Sequence, residues 1–166
     1  LEHLNHKDFF QRQLGDIDTP TLPYRATSEE ALENGVNAFH HDLPAELTTR
    51  IQLASKTLRV SPASVFHLAW AWVISQSTGM DDVVFGTVLS GRMGSVGDED
   101  NTVGMLINTL PIRVALRGET PESLVKGIHS TLTAMMPFEQ VPLVDAILCS
   151  AVESPLPLFS ALLNYR

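Results

Sequence analysis

The sequence predicts an α/β fold in which helices are layered on a mixed sheet. Residues 83–89 and 110–117 have the character of strands, and Ser/Thr-Pro pairs at 61–62 and 120–121 mark the starts of helices. A chain of 166 residues is about the size of one domain, and its 44% hydrophobic and 18% charged residues are typical of a packed globular chain. We therefore treat residues 1–166 as one unit.

The first part of the chain contains signals for a helix, a connection and a strand. Residues 1–14 carry a rough apolar stripe that stops at Gly15, which predicts a helix. Residues 16–34 are rich in Pro, Thr, Asp and Glu, and they are predicted to be a surface connection. A strand is expected over residues 36–42, before Pro44 opens the next helix.

Two helices are predicted between residues 44 and 79. In the first, apolar side chains recur at helical spacing, so this helix is expected to bury one side. In the second, Ser61 supplies a capping hydroxyl and Pro62 lacks an N–H that the first turn would leave unpaired. The run 65–74 is apolar nearly all round, which predicts a central, buried helix. The stripe of the first helix consists of Leu47, Ile51, Ala54 and Leu58.

The segments with strand character follow these helices. Residues 83–89 are rich in β-formers and predict a strand buried on both faces. The glycine-rich and acidic stretch 91–102 predicts a loop. Residues 110–117 alternate in hydrophobicity, as in a half-exposed strand. The remaining elements are a helix from Thr120, a short helix after Pro142 and a last strand over 158–165.

Composition and charge argue against several classes of partner. The net charge is −8, and the 11 Lys and Arg residues are scattered singly, so nucleic acids and anionic membranes are not expected to bind. No uninterrupted apolar run is long enough to span a bilayer. The single cysteine, Cys149, is interpreted as a small core residue, and the absence of an internal disulfide fits a cytoplasmic location.

The histidines form no complete catalytic site in the sequence. The pair His40-His41 would point to opposite faces of a strand and could not easily serve one site. His3 and His6 could share a metal ion, but no third ligand is evident, so no metal site is predicted. Two further histidines, interpreted as packed or rim residues of helices, are His67 and His129.

Four segments of the sequence resemble those of one enzyme family. Residues 103–113, Val-Gly-Met-Leu-Ile-Asn-Thr-Leu-Pro-Ile-Arg, are similar to the Val-Gly-x-Phe-Val-Asn-Thr-x-x-x-Arg motif of nonribosomal peptide synthetase condensation domains. Residues 81–92 resemble the family's strand that ends in Ser-Gly-Arg. Residues 138–143 and 157–165 resemble two later family segments in the same order. The resemblance covers the chain from the first helix to the last strand, and these four segments are its most distinctive part.

The resemblance implies a chloramphenicol-acetyltransferase-like architecture of two halves, with a tunnel between them where two carrier-protein thioesters meet. There the amine of an acceptor aminoacyl thioester attacks the donor thioester, and the second histidine of a His-His-x-x-x-Asp-Gly motif assists. Both substrates are tethered by phosphopantetheine. No cofactor is expected to bind this chain directly, and the implied partners are peptidyl or acyl carrier proteins.

The sequence departs from the family at this catalytic motif. His40-His41 is followed by Asp-Leu-Pro-Ala-Glu, so no Asp-Gly falls at the required offset. We therefore expect the chain to be an early part of the C-terminal half of a condensation domain, without a catalytic residue and inactive alone. It would supply one wall of the tunnel. The residues expected to line that wall are Ser90, Gly91, Arg92, Asn108 and Thr109.

Other interpretations stay open. Asn108 could instead cap backbone groups at the end of a strand. A related carrier- or coenzyme-A-dependent acyltransferase would use a similar histidine motif on a different nucleophile, although the Ser-Gly-Arg and Asn-Thr-Leu-Pro segments argue against it. A non-catalytic module that docks carrier proteins is the third reading. The N-terminal half of the domain is a further implied partner, and without it the chain is expected to self-associate through exposed apolar surface.

Overall fold

The structure of the protein, a computed structural model, describes residues 5–23, 37–89 and 107–166. Its helices and strands follow nearly the predicted order. They are α1 (His6–Leu14), α2 (Ala45–Leu58), α3 (Pro62–Thr78), β1 (Asp82–Leu89), β2 (Asn108–Ala115), α4 (Pro121–Met135), a 3-10 helix (Met136–Phe138), α5 (Leu143–Ile147) and β3 (Leu162–Leu163). The predicted loop 91–102 lies outside the described residues.

Polar side chains cap the starts of three helices, two of them at the Ser-Pro and Thr-Pro pairs that the sequence indicated. Asn5 Oδ1 accepts a hydrogen bond from Lys7 N at 3.1 Å at the start of α1. Ser61 Oγ accepts from Ser64 N at 3.4 Å before α3, and Thr120 Oγ1 accepts from Ser123 N at 3.2 Å before α4. These bonds satisfy N–H groups that have no partner within a first helical turn, so each polar cap fixes where its helix begins.

Among the described residues, the sheet has three strands in the order β2-β1-β3 and is mixed, as predicted. β1 and β2 are antiparallel over their whole length, from Asp82 opposite Ala115 to Leu89 opposite Asn108. β3 runs parallel to β1 but is only two residues long, shorter than the predicted strand 158–165, because it pairs with β1 only at residues 86–87.

The central strand β1 is buried on both faces. Residues 83–87 are consecutive buried positions, and because alternate side chains of a strand point to opposite faces, both faces must be covered. The core cluster around this strand includes residues of α1, α3, α4, α5 and β2. In it, the rings of Phe9 and Phe10 lie 5.1 Å apart, and Phe138 lies 5.1 Å from Phe9. The prediction of a doubly buried strand is therefore confirmed.

The segment 37–44 is irregular and exposed, and Phe39 is 97% exposed. The predicted strand over 36–42 is therefore wrong in its described part. Short-range β-character did not suffice, because a strand is stabilised by pairing with a neighbour, and residues 37–42 have no strand partner among the described residues.

The helices α2 and α3 are less buried than predicted. On α2 only Ser55 is buried, and Leu47 of the predicted stripe is 38% exposed. On α3 one face is buried around His67, but Trp72 and Val73 are about half exposed, so this helix is not buried all round. The main neighbour of α2 is α3, and a single packed helix covers too little of its surface to bury the whole stripe.

The connection after α1 also differs from its prediction. Ile17 and Thr21 are buried, so the described part of residues 16–34 is not a plain surface connection. Thr21 N donates to Leu158 O at 3.0 Å, and Ser160 N donates to Thr21 O at 3.2 Å. The side-chain Oγ1 of Thr21 accepts a hydrogen bond from Val84 N at 3.0 Å. Thr21 therefore satisfies a backbone donor of β1 and joins that strand to residues 158–160.

Replacing Thr21 by valine is expected to lower the free energy of unfolding by about 1–3 kcal/mol, because the buried Val84 N–H loses its acceptor while the side-chain shape is kept. The matched control is Thr19→Val, since Thr19 is exposed and its hydroxyl donates to the neighbouring Asp18 carboxylate. Urea denaturation of the purified chains measures both. Equal effects of the two substitutions would contradict this role of Thr21.

Candidate functional site

Two of the predicted tunnel-lining residues lie at one edge of the sheet. Asn108 and Thr109 begin β2 and pair with the last residues of β1, Leu89 and Val88. The other three follow Leu89 directly in the sequence. The three that lie outside the described residues are Ser90, Gly91 and Arg92.

Asn108 is held entirely by the backbone around it. Its Nδ2 donates to Glu139 O at 2.8 Å and to Val141 O at 2.7 Å, and its Oδ1 accepts from Thr109 N at 2.8 Å. Because a primary amide has two N–H hydrogens, both are used within the protein. Asn108 thus caps backbone groups, the alternative that the sequence left open. It ties the start of β2 to the segment that follows the 3-10 helix.

Gly86 lies at the closest approach of three segments. A Cβ at this position would overlap the side chains of Leu162, Phe159 and Thr109. Only glycine fits there, because the neighbouring strands carry the side chains that fill the space. This contact packs β1, which belongs to the family-like segment 81–92, against the other family-like segment, 157–165.

The buried His67 links α3 to β1. Its Nδ1 lies 2.7 Å from Ala63 O and its Nε2 lies 2.8 Å from Thr87 Oγ1. Since a carbonyl oxygen only accepts, Nδ1 carries a proton, and in the neutral ring Nε2 accepts the hydroxyl hydrogen of Thr87. Burial lowers the pKa of His67, partly offset by the bond to Ala63. The packed-histidine interpretation is correct, but the sequence did not identify Thr87 as its partner.

Arg113 organises the opposite end of the strand pair. Its Nε and Nη2 donate to the Asp82 carboxylate at 2.9 and 2.6 Å, and its Nη1 donates to Asp16 Oδ1 at 2.5 Å. A further bond runs from Nη1 to Gln13 O at 3.1 Å. The hydrogen bonds from Arg113 lower the pKa of Asp16, and the two carboxylates raise the pKa of Arg113. The guanidinium therefore joins β1, β2 and the segment after α1.

The other candidate groups do not converge on this edge. His40 and His41 are exposed on the irregular segment, not on a strand. Cys149 is a buried core residue, as predicted, and burial raises the pKa of its thiol, which keeps it protonated. Within residues 5–23, 37–89 and 107–166, no three His, Cys, Asp or Glu side chains are grouped to hold a metal ion. No helix in these ranges is long and apolar enough to cross a membrane.

Asn108→Asp is expected to lower the free energy of unfolding by about 3 kcal/mol, because a carboxylate would face the carbonyl oxygens of Glu139 and Val141 without a hydrogen to donate. The same change at the exposed Asn164 is expected to cost less than about 0.5 kcal/mol. Chemical denaturation of both variants checks this. A mild effect at Asn108 would show that the two amide bonds contribute little.

The stability of the chain is expected to depend on the titration of His67. Because burial lowers its folded-state pKa, the unfolded chain binds more protons below about pH 6.5. The stabilisation is fully present above that pH and is lost as the pH falls toward the folded-state pKa. Unfolding free energies of His67→Gln, measured from pH 8 to pH 5, should fall less steeply than those of the unmodified chain. The exposed His41→Gln should keep the original slope, and a slope unchanged in His67→Gln would refute the assignment.

The sequence of this chain is similar to those of known proteins. Residues 2–166 match the family model described as Condensation domain. Malpibaldin synthetase of Mortierella alpina is 45% identical over 161 residues, which are 97% of this chain and 3% of that protein. A nonribosomal peptide synthetase of Gibberella zeae is 31% identical over 151 residues, which are 86% of this chain and 2% of that protein. The chain thus spans a small part of these relatives.

Solved structures share the fold. The first condensation domain of the calcium-dependent antibiotic synthetase, in complex with a substrate analogue, is 26% identical with a TM-score of 0.55. That match covers 68% of this chain and 26% of the solved one, and it agrees with the predicted architecture. With a family match along almost its whole length and a mixed sheet that solved condensation domains share, this chain belongs to the condensation domain family.

Proposed function

We propose that this chain is part of a nonribosomal peptide synthetase condensation domain, which forms an amide bond between two carrier-bound thioesters. The observation that carries the proposal is the 45% identity with malpibaldin synthetase along 97% of the chain. The nonribosomal peptide synthetase of Gibberella zeae supports the same assignment. The substrates would arrive on the phosphopantetheine arms of peptidyl or acyl carrier proteins in the cytoplasm.

In this reaction the acceptor amine attacks the donor carbonyl carbon, the new C–N bond forms and the C–S bond breaks. The sulfur at the end of the donor carrier's phosphopantetheine arm leaves as a thiolate, the amine loses a proton to a base, and protonation of the thiolate gives the free thiol. This chain lacks the His-His-x-x-x-Asp-Gly motif that the family uses, so we assign no catalytic residue to it. Its contribution would be to hold the two thioesters close together, which lowers the entropic part of the barrier.

The wall that does this would begin at the edge where β1 ends and β2 begins. We assign the lining to Ser90, Gly91, Arg92, Asn108 and Thr109. Asn108 would contribute to the wall only through the shape of its side chain, because both of its amide hydrogens are donated to the carbonyl oxygens of Glu139 and Val141. Thr109, which is half-buried, would offer its side chain more directly.

A segment exchange tests this function. In the condensation domain of malpibaldin synthetase that aligns with the chain, the 161 matching residues are replaced by this sequence. Mass spectrometry then follows the carrier-bound products from donor and acceptor carriers loaded with that domain's own substrates. We expect the chimera to form the amide, and the 166-residue chain alone to form none.

The outcome separates the alternatives. The unmodified domain is the positive control, and a reaction without any condensation domain is the negative control. A chimera that melts like the unmodified domain but leaves both thioesters unreacted contradicts the proposal. Transfer of the acyl group to a hydroxyl or to coenzyme A, with no amide, would favour the acyltransferase alternative.

A further inference from the structure

A groove of about 500 Å³ lies between the end of α2 and α4, and neither Asn108 nor Thr109, the two described residues of the β1–β2 edge, lines it. Its walls combine aliphatic side chains with polar ones. The aliphatic residues are Leu58, Val60 and Ala134, and the polar residues are Arg59, Lys126, His129, Ser130 and Thr133. The groove is therefore separate from the described part of the proposed substrate wall.

The charged and ring groups of this groove are hydrogen-bond donors. The guanidinium of Arg59 and the ammonium of Lys126 have no acceptor atom. Lys126 uses one hydrogen on Glu122 Oε1 at 2.6 Å, which leaves two. His129 Nδ1 accepts from Ser61 N at 3.4 Å, so the neutral ring carries its proton on Nε2 and donates there. Among the described residues, no acidic side chain lines the groove. Its complement is a ligand rich in acceptors.

The distribution of charge around the groove also favours a ligand rich in acceptors. The chain has 19 acidic residues and a net charge of −8, yet residues 47–80 and 123–138 contain no Asp or Glu. These ranges hold Arg50, Lys56, Arg59 and Lys126. Arg50, Lys56 and Arg59 make no ion pair within the part of the chain that the structure describes. Residues 47–80 and 123–138 therefore carry only positive charge, while the acidic residues of α2 and α4, Glu46 and Glu122, lie in the first turns of these helices.

We infer that this groove docks an acidic segment of a protein partner. An aliphatic side chain of that segment fills the space beside Leu58 and Val60, and flanking carboxylates pair with Arg59 and Lys126. A nucleic acid is disfavoured because its affinity depends on many phosphate contacts, and this groove offers few cations around aliphatic walls. The inference stands apart from the proposed amide-forming activity, since it involves different residues and a different partner surface.

The test uses a fluorescein-labelled synthetic peptide of alternating glutamate and leucine blocks and measures its fluorescence anisotropy with the 166-residue chain. We expect saturable binding that weakens as salt is raised, because exposed ion pairs are screened. The double variant Arg59→Asn, Lys126→Gln should bind about five-fold more weakly. Asparagine suits position 59, because Arg59 has a left-handed backbone with φ 57°.

The matched control is Lys7→Gln, Arg12→Gln, which removes two cations from α1 and should leave the affinity within about two-fold. A peptide with alanine in place of leucine, and another with lysine in place of glutamate, should both bind more weakly than the parent peptide. Equal losses in the two double variants, equal binding of the alanine peptide, or no binding of the parent peptide would each overturn the inference. Matching melting temperatures of the two variants establish that both are folded.

Discussion

The structure depends on the burial of β1 on both faces. A strand in this position has to satisfy all of its backbone donors without water, because an unpaired buried N–H costs free energy. β2 pairs with one edge along its full length, while the other edge is shared by β3 and by the hydroxyl of Thr21. Gly86 allows the last segment to approach this strand closely. The two family-like segments 81–92 and 157–165 therefore meet here for reasons of packing.

Three polar side chains extend this arrangement beyond the sheet. Asn108 binds the backbone after the 3-10 helix, His67 connects α3 with Thr87, and Arg113 binds acids from two segments. Each satisfies its hydrogen bonds within the protein, so each restrains neighbouring elements and leaves few donors for a ligand. In a condensation domain family member that carries no catalytic motif, this rigidity suits a wall that positions substrates, as we propose.

The exposed surface divides by charge. The carboxylates are spread over much of the chain, whereas residues 47–80 and 123–138, which include the lining of the partly aliphatic groove, carry cations and no carboxylate. The half-exposed Trp72 and Val73 on α3 add apolar surface. Exposed apolar and charged surface of this kind is common where a domain meets other domains. The helices and the β1–β2 edge therefore offer two chemically different surfaces to partners.

Local chemistry in the sequence determined most of the elements. Capping pairs located the starts of α3 and α4, a run of β-formers located β1, and the motif over 103–113 indicated the family that the comparisons then identified. These signals act within a few residues, so they can be interpreted without the fold. The expected strand over 36–42 is wrong in its described part, because pairing decides strands and local β-character does not.

Only the tertiary structure decided the long-range partners. Arg113 lies 97 residues from Asp16, and Asn108 lies more than thirty residues from the carbonyls that hold its amide. No periodicity encodes such distances, because the pairs form only when the elements pack. Burial is decided in the same way: the stripe of α2 is a correct helical pattern, but its exposure depends on how much neighbouring structure covers it.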